Sequence, residues 1–461
     1  MDDLKRHDPL PVIGQAKAPT LRVKSTAMSV GGDEPASPTG GEKHIELSAI
    51  HDFAGKLHQE HVLPRLKDYV RWQAKLRSAQ SREDVTEAEL IELSRIPDWA
   101  PVSINLDLTT SCNFACDHCV DMAILNTGIK FETDHLLKGL ELMANKGLKS
   151  VIIIGGGEPT IHAKFIDVVK LLKAHDVQVS VVSNGSGNKK LAKIAPLLKV
   201  GDWIRLSLDS GTDETFQAMH KPRKTITLDE ICEGVPAIRA AGTEAFKIGF
   251  SFIITWRGAT IHDNDIVENI GEIVTAAKRA KQYGFDYIAC KPFLTRAERN
   301  NAEIVDLNEL DQHFDEITAR IRAEIDEAKK LEDDTFRIYE TTNLKVLENR
   351  SHGDFSTQPH QCHMQFFRQV LSPLGMYNCP VYRNQAHGRL GTKDAYTTEA
   401  DYESTRMSTA ELIRVFDATF ECKEVTCLYN HANWWIEDLI RNPEKLEGLR
   451  VMEMEEPDYF L

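Results

Sequence analysis

The sequence predicts an α/β fold: a partial barrel of six strand–helix units, preceded by a helical extension and followed by a small C-terminal domain. Two observations carry this. From about residue 100 to 300, short runs rich in Val, Ile and Phe alternate with amphipathic stretches, the pattern of parallel strands joined by crossover helices. Beyond residue 355 the strands shorten and cysteines cluster again. With 461 residues and 42% hydrophobic content, the chain can bury a full core and a smaller domain besides.

The elements follow in order. Residues 1–44 hold five prolines and five glycines with little periodic apolar content, and are expected to be a disordered leader. In 45–99, Ile50, Phe53 and Leu57, then Leu66, Tyr69, Val70 and Leu76, recur at helical spacing, with a break at Pro64. The core, 100–300, begins with the strand 102–108 and the helix 133–146. Strands at 150–156, 177–183, 203–209 and 247–255 alternate with helices at 162–174, 188–199, 228–241 and 264–284, and a sixth strand follows at 285–291. Residues 301–354 read as a charged, mostly helical connector, and 355–461 as the second domain. In such folds the chemistry sits at the C-terminal ends of the strands.

Composition excludes several functions. Seventy acidic against fifty-five basic residues give a net charge of −15, which argues against nucleic acid as a partner. No apolar run is long enough for a membrane span and the N-terminus has no secretion-type apolar segment, so a cytoplasmic protein is expected. Nine cysteines in such a chain point to metal or catalysis rather than disulfides.

Three of the nine, Cys112, Cys116 and Cys119, fall on the loop after the first strand. A four-iron cluster normally takes four thiolates, so three leave one iron open. A zinc site needs a fourth ligand, and His118 lies between two of the cysteines, poorly placed to supply it.

This spacing, at this strand end, resembles the radical S-adenosylmethionine (SAM) superfamily, whose fold is a partial TIM-like barrel. Other motifs fall in order. Gly156, Gly157, Glu158 and Pro159 end the second strand, where the family binds the methionine amino group of the cofactor. Ser183 and Asn184 end the third, and Ser207 and Asp209 the fourth, where family members contact ribose and the cofactor carboxylate; taken singly, each also suits a turn or helix cap. Phe252, Ile253 or Pro292 could pack on adenine, or be plain core. The resemblance implies a SAM-binding [4Fe–4S] cluster, reductive cleavage of S-adenosylmethionine, and a 5′-deoxyadenosyl radical that takes a hydrogen atom from substrate. It also implies a reducing protein such as flavodoxin or ferredoxin.

A second set, Cys362, Cys379, Cys422 and Cys427, has gaps of sixteen, forty-two and four residues. A turn at Pro373–Gly375 would form a hairpin that brings the first two together. The layout resembles the twitch module, a shortened SPASM domain, and implies a fully ligated auxiliary [4Fe–4S] cluster; a structural four-cysteine zinc site is the competing reading. Cys232 reads as core. Cys290, near the end of the sixth strand, is either a catalytic thiol facing the cavity or buried structure, and it cannot share a face with Lys291. Thr295, Arg296 and Arg299 follow it, able to grip an anionic substrate or simply solvated. The expected function is a radical SAM enzyme acting on a small polar metabolite (a sugar, cyclitol, aminoglycoside or nucleotide sugar) by oxidation, epimerisation or dehydration. Maturation of a ribosomal peptide is the alternative, and a non-catalytic iron–sulfur electron carrier a third reading.

Overall fold

Eight parallel strands of one ten-stranded sheet form the frame in the computed structural model, which describes residues 51–261, 264–298, 300–305 and 313–461. The expected leader and Ile50 lie outside these residues, as does Arg299. The strands are β1 (Ser103–Leu106), β2 (Ser150–Ile153), β3 (Gln178–Ser183), β4 (Trp203–Ser207), β5 (Lys247–Ile254), β6 (Tyr287–Pro292), β7 (Arg337–Glu340), β8 (Arg368–Ser372), β9 (Gly375–Tyr377) and β10 (Arg389–Gly391). Their order is β7-β6-β5-β4-β3-β2-β1-β8-β9-β10, parallel from β7 to β8 and antiparallel at β8-β9-β10.

The helices include α1 (Leu63–Gln80) in the N-terminal extension, then α2 (Thr133–Asn145), α3 (Phe165–Ala174), α4 (Asn188–Ile194), α5 (Asp213–His220), α6 (Leu228–Glu233), α7 (Val235–Ala241), α8 (Ile273–Gln282), α9 (Phe314–Lys329), α10 (Thr342–Glu348), α11 (Glu399–Val415) and α12 (Asn430–Arg441); α1 and α12 pack on each other in a cluster apart from the core behind the sheet. Alternation along β4 shows how the two faces divide. Ile204 and Leu206 are fully buried, while Trp203, Arg205 and Ser207 face inward and stay partly accessible. Ile152, Val182, Ile253, Tyr287, Lys291 and Arg368 on neighbouring strands share that inner, partly accessible character. The inner face thus mixes these partly accessible side chains with small buried ones, Ser150, Ser180, Ser251 and Ala289, and is less apolar than the outer face.

Three elements differ from the sequence reading. The connector contains β7, a four-residue strand with charged ends that is too short to show a period. Helix α5 also escaped notice; Thr212 caps it by accepting from the Thr215 amide at 3.3 Å. Third, the first strand of the expected hairpin, β8, also pairs in parallel with β1, Ser103 opposite Arg368, and so extends the main sheet. A strand read from local pattern carries no information about which edge it joins.

The floor of the barrel is closed by residues 457–461. Phe460 meets Trp203 edge-on, with ring centres 5.6 Å apart, and Leu461 is fully buried. Lys56 in the N-terminal extension binds the Phe460 carbonyl at 2.7 Å and Asp458 at 2.9 Å. Nearby, Asp202 staples three elements. One oxygen accepts from the Val179 amide at 2.7 Å; the other accepts from Lys173 Nζ at 2.6 Å and the Lys199 amide at 2.8 Å. Asp202→Ala strands a buried ammonium and two amides, so urea unfolding should show a loss of ~3–5 kcal/mol.

Candidate functional site

After β1 the chain passes Asp107 and Thr109 into the three-cysteine loop, which is held by backbone bonds to α5 and its flank. The Ala115 amide donates to the His220 carbonyl (3.1 Å) and the Asp117 amide to that of Met219 (3.2 Å). The Arg223 amide donates to Asn113 (3.0 Å), and the Cys112 amide to Asn126 Oδ1 (3.0 Å). The three thiols sit within electrostatic reach of one another. Burial, with Asp121 adding, pushes Cys119 up to about 12. Burial also raises Cys116 well above the thiol range, with Cys119 and Cys112 adding, and raises Cys112 as well.

Behind the loop lies a pair of histidines. Cys116 Sγ is 3.2 Å from His220 Nδ1, while His220 Nε2 faces the Leu208 carbonyl at 2.9 Å. Asp209 Oδ2 lies 3.3 Å from His118 Nε2 and 3.5 Å from His220 Nε2. Ligand atoms of Cys116, His118 and His220 fall within 4.8 Å of one another. His118 thus sits nearer to Cys116 than the loop spacing implied, because His220, far along the chain, completes the group. Both imidazoles already have partners in Leu208 and Asp209.

The end of β2 closes on the loop. Gly156 (φ +68°) donates its amide to Asp121 Oδ2 at 3.0 Å, and a side chain there would meet the Thr109 carbonyl. At Gly157 an added Cβ would lie 2.0 Å from the Ser111 carbonyl oxygen, so only glycine fits. Glu158 is buried and caps the short turn that begins at Pro159. Its Oε1 accepts from the Thr160 amide and hydroxyl and from Ser183 Oγ (2.8 Å), and its Oε2 from the Asn184 amide (2.7 Å). Asn184 Nδ2 donates to Asn113 Oδ1 at 3.0 Å, which ties the end of β3 to the cysteine loop. Asp209 (φ +49°) accepts from the Ile253 amide at 2.7 Å and is buried; Ser207 is partly accessible on the inner face.

One buried cation holds these ends together. Arg383 Nη2 lies 2.9 Å from Asp121 and 3.6 Å from Glu303, and Nη1 lies 3.3 Å from Asp107. Arg296 Nη2 reaches Glu303 (3.5 Å) and the Val120 carbonyl (2.7 Å). Burial pushes Asp107 up to about 8 despite Arg383, and raises Glu303 as well. Asp107 directly follows β1 and Glu303 lies past the end of β6, so this one arginine joins the segments that follow strands five places apart in the sheet.

The Radical SAM superfamily model matches residues 106–270. The mycofactocin maturase MftC of Mycobacterium tuberculosis is 29% identical over 190 residues, 40% of this chain and 43% of that protein. A probable GTP 3′,8-cyclase of Thermoplasma volcanium is 27% identical over 151 residues, covering 32% and 44%. SuiB of Streptococcus suis, solved bound to S-adenosylmethionine, aligns with a TM-score of 0.45 at 12% identity over 72% of this chain and 76% of SuiB. The chain carries a radical SAM domain. It spans about two fifths of the length of the curated relatives it matches.

A radical SAM domain works with a [4Fe–4S] cluster and S-adenosylmethionine, and the donor set here fits them. Three soft sulfurs converge on one loop, and buried polar atoms near it, Asp107 Oδ2 and Ser210 Oγ past the ends of β1 and β4 and Ser251 Oγ within β5, have no hydrogen-bond partner. Glu158 differs from the expectation in one respect: four donors already engage it, so it joins β2 to β3 besides anything it offers a ligand.

The second cysteine set converges too. Cys422 is raised well above the thiol range by burial, with Cys427, Cys362 and Cys379 adding; Cys379 is pushed up to about 12 by burial and Cys362. Asn433 Nδ2 lies 3.7 Å from Cys362 Sγ, and its Oδ1 accepts from the His363 amide at 2.8 Å. Arg77 of α1 clamps the same region by a two-pronged bond to Glu437 (2.7 and 2.8 Å), which also meets His363 Nε2 at 3.0 Å. No helix among the described residues is long and apolar enough to cross a membrane.

Cys290 is a correction. It pairs with Phe252, and both side chains are fully buried in the outer core; its thiol, pushed up to about 12 by burial, feels Glu340 and Glu348. One residue on, Lys291 pairs with Ile253 on the inner face and is in electrostatic reach of Asp209 and Glu303. Pro292 is also buried, which leaves Ile253 as the lumen-facing member of the expected adenine set. Arg383 and Asp121 were missed because their partners are supplied by distant segments.

Two outcomes follow. Cys290→Ala should leave 5′-deoxyadenosine formation unchanged and lower stability by about 1–2 kcal/mol in urea melts. Arg383→Met should cost ~3–5 kcal/mol by leaving buried carboxyls without their cation.

Proposed function

We propose that this protein is a radical SAM enzyme whose substrate is a peptide, with Cys112, Cys116 and Cys119 holding the cofactor cluster and Cys362, Cys379, Cys422 and Cys427 an auxiliary one. The observation that carries the peptide reading is the likeness to mycofactocin maturases, at 29% identity across the shared domain. When bound, the cluster and S-adenosylmethionine supply a hydrogen-abstracting radical. The chain's own residues fix the loop through Asn113 and Asn126, shape the strand ends through Gly156 and Gly157, and wall the site with the Arg383 cluster. The auxiliary cysteines would carry an electron away from, or toward, that site. A reducing protein such as flavodoxin or ferredoxin is the expected donor.

The peptide would not be held by a winged-helix module at residues 51–99, since only helices occur there among the described residues. A second reading, a small polar metabolite, draws on the cyclase relatives and on the charged groups lining the site.

The test is anaerobic reconstitution followed by S-adenosylmethionine and dithionite. About eight irons per chain are expected, against about four irons and one zinc if the second set binds zinc. A short peptide encoded beside the gene should stimulate 5′-deoxyadenosine formation several-fold and emerge with an altered mass. Stimulation by GTP but by no peptide would favour the metabolite reading.

A further inference from the structure

Three inward-facing strand residues carry positive charge into the lumen: Arg205 on β4, Lys291 on β6 and Arg368 on β8. Each is partly accessible, unlike the apolar neighbours that alternate with it. None makes an ion pair among the described residues. Arg205 lies over the Trp203 ring, with 5.1 Å from its carbon to the ring centre, and Arg368 donates to Asn105 Oδ1 at 2.6 Å. The buried Nε of both arginines has no hydrogen-bond partner. Arg205 is in electrostatic reach of Lys291 at one end and of His51 at the other, and His51 also feels Arg368 and Lys56. Among the carboxylates near this line, Asp458 is taken by Lys56, Glu303 by Arg296 and Arg383, and Asp209 by the His118 side.

Several like charges facing one lumen repel each other, and apolar walls strengthen the field they make. The phenolic ring of Tyr287, on the same face beside Arg205, adds a further polar group. A partly accessible guanidinium presents paired N–H donors in the fork that matches an oxyanion.

We propose that the lumen is the subsite for an anionic group of the substrate, a carboxylate in the peptide reading, with Arg205 as its central contact and Lys291 and Arg368 above and below. This rests on the radical SAM enzyme reading and narrows it to substrates bearing an oxyanion. A carboxylate and a phosphate share this chemistry, and the experiment separates them.

Titration calorimetry would use the reconstituted holoenzyme, anaerobically, with citrate and separately inorganic phosphate as probes, at matched ionic strength and with S-adenosylmethionine saturating. Citrate should bind to the wild type. Affinity should fall at least tenfold in Arg205→Gln and Lys291→Gln, persist in Lys291→Arg, and be unchanged in Lys278→Gln, an exposed lysine of α8. Tighter binding of phosphate than citrate, with the same variant pattern, would assign a phosphorylated group. Equal affinities across all variants, or binding that disappears once S-adenosylmethionine is present, would overturn the inference; the latter would mean that the cations serve the cofactor. Wild-type formation of 5′-deoxyadenosine is read separately. Its absence would sink the enzyme reading, whereas cleavage without anion binding would sink only the subsite.

Discussion

The buried guanidinium of Arg383 is the contact on which the site's geometry depends. It comes from a segment four residues past Cys379, yet it meets Asp121, two residues past Cys119, along with Asp107 and Glu303. Asp121 in turn receives the amide of Gly156. One cation therefore joins the segment that bears Cys379 to the cysteine loop, the first strand end and the glycine turn. Burying it costs several kcal/mol in lost hydration, which is recovered only because partners approach from three sides.

A division of labour between the faces of the sheet follows. The outer face is apolar and packed against helices, and it takes Cys232, Cys290 and Phe252 as ordinary core. The inner face carries Arg205, Lys291, Ser207 and Arg368 and remains partly accessible. Strand alternation alone sets this division, so a shift of one residue exchanges an inner-face position for a buried outer one. The exchange of Cys290 for Lys291 is an instance.

Much of this was legible in the sequence where signals are local. The six core strands, the hairpin turn at Pro373–Gly375 and the C-terminal helix that begins at Asn430 all appear close to where the apolar pattern puts them. So did the cysteine loop, because its spacing lies within one short segment. What escaped depends on distance along the chain. His220 sits about a hundred residues from Cys116, Arg383 more than two hundred and fifty from Asp121, and β8 joins β1 across most of the core. Such pairings arise from the closure of the fold, and residue order carries no trace of them.

The most direct measurement of the central claim is electron paramagnetic resonance of the dithionite-reduced, reconstituted protein, with and without S-adenosylmethionine. Two reduced cluster signals are predicted. One should shift on adding S-adenosylmethionine and vanish in the Cys112→Ala, Cys116→Ala, Cys119→Ala triple variant, while the other stays unmoved in both. A spectrum that does not respond to S-adenosylmethionine, or a responsive signal that survives in the triple variant, would contradict the account.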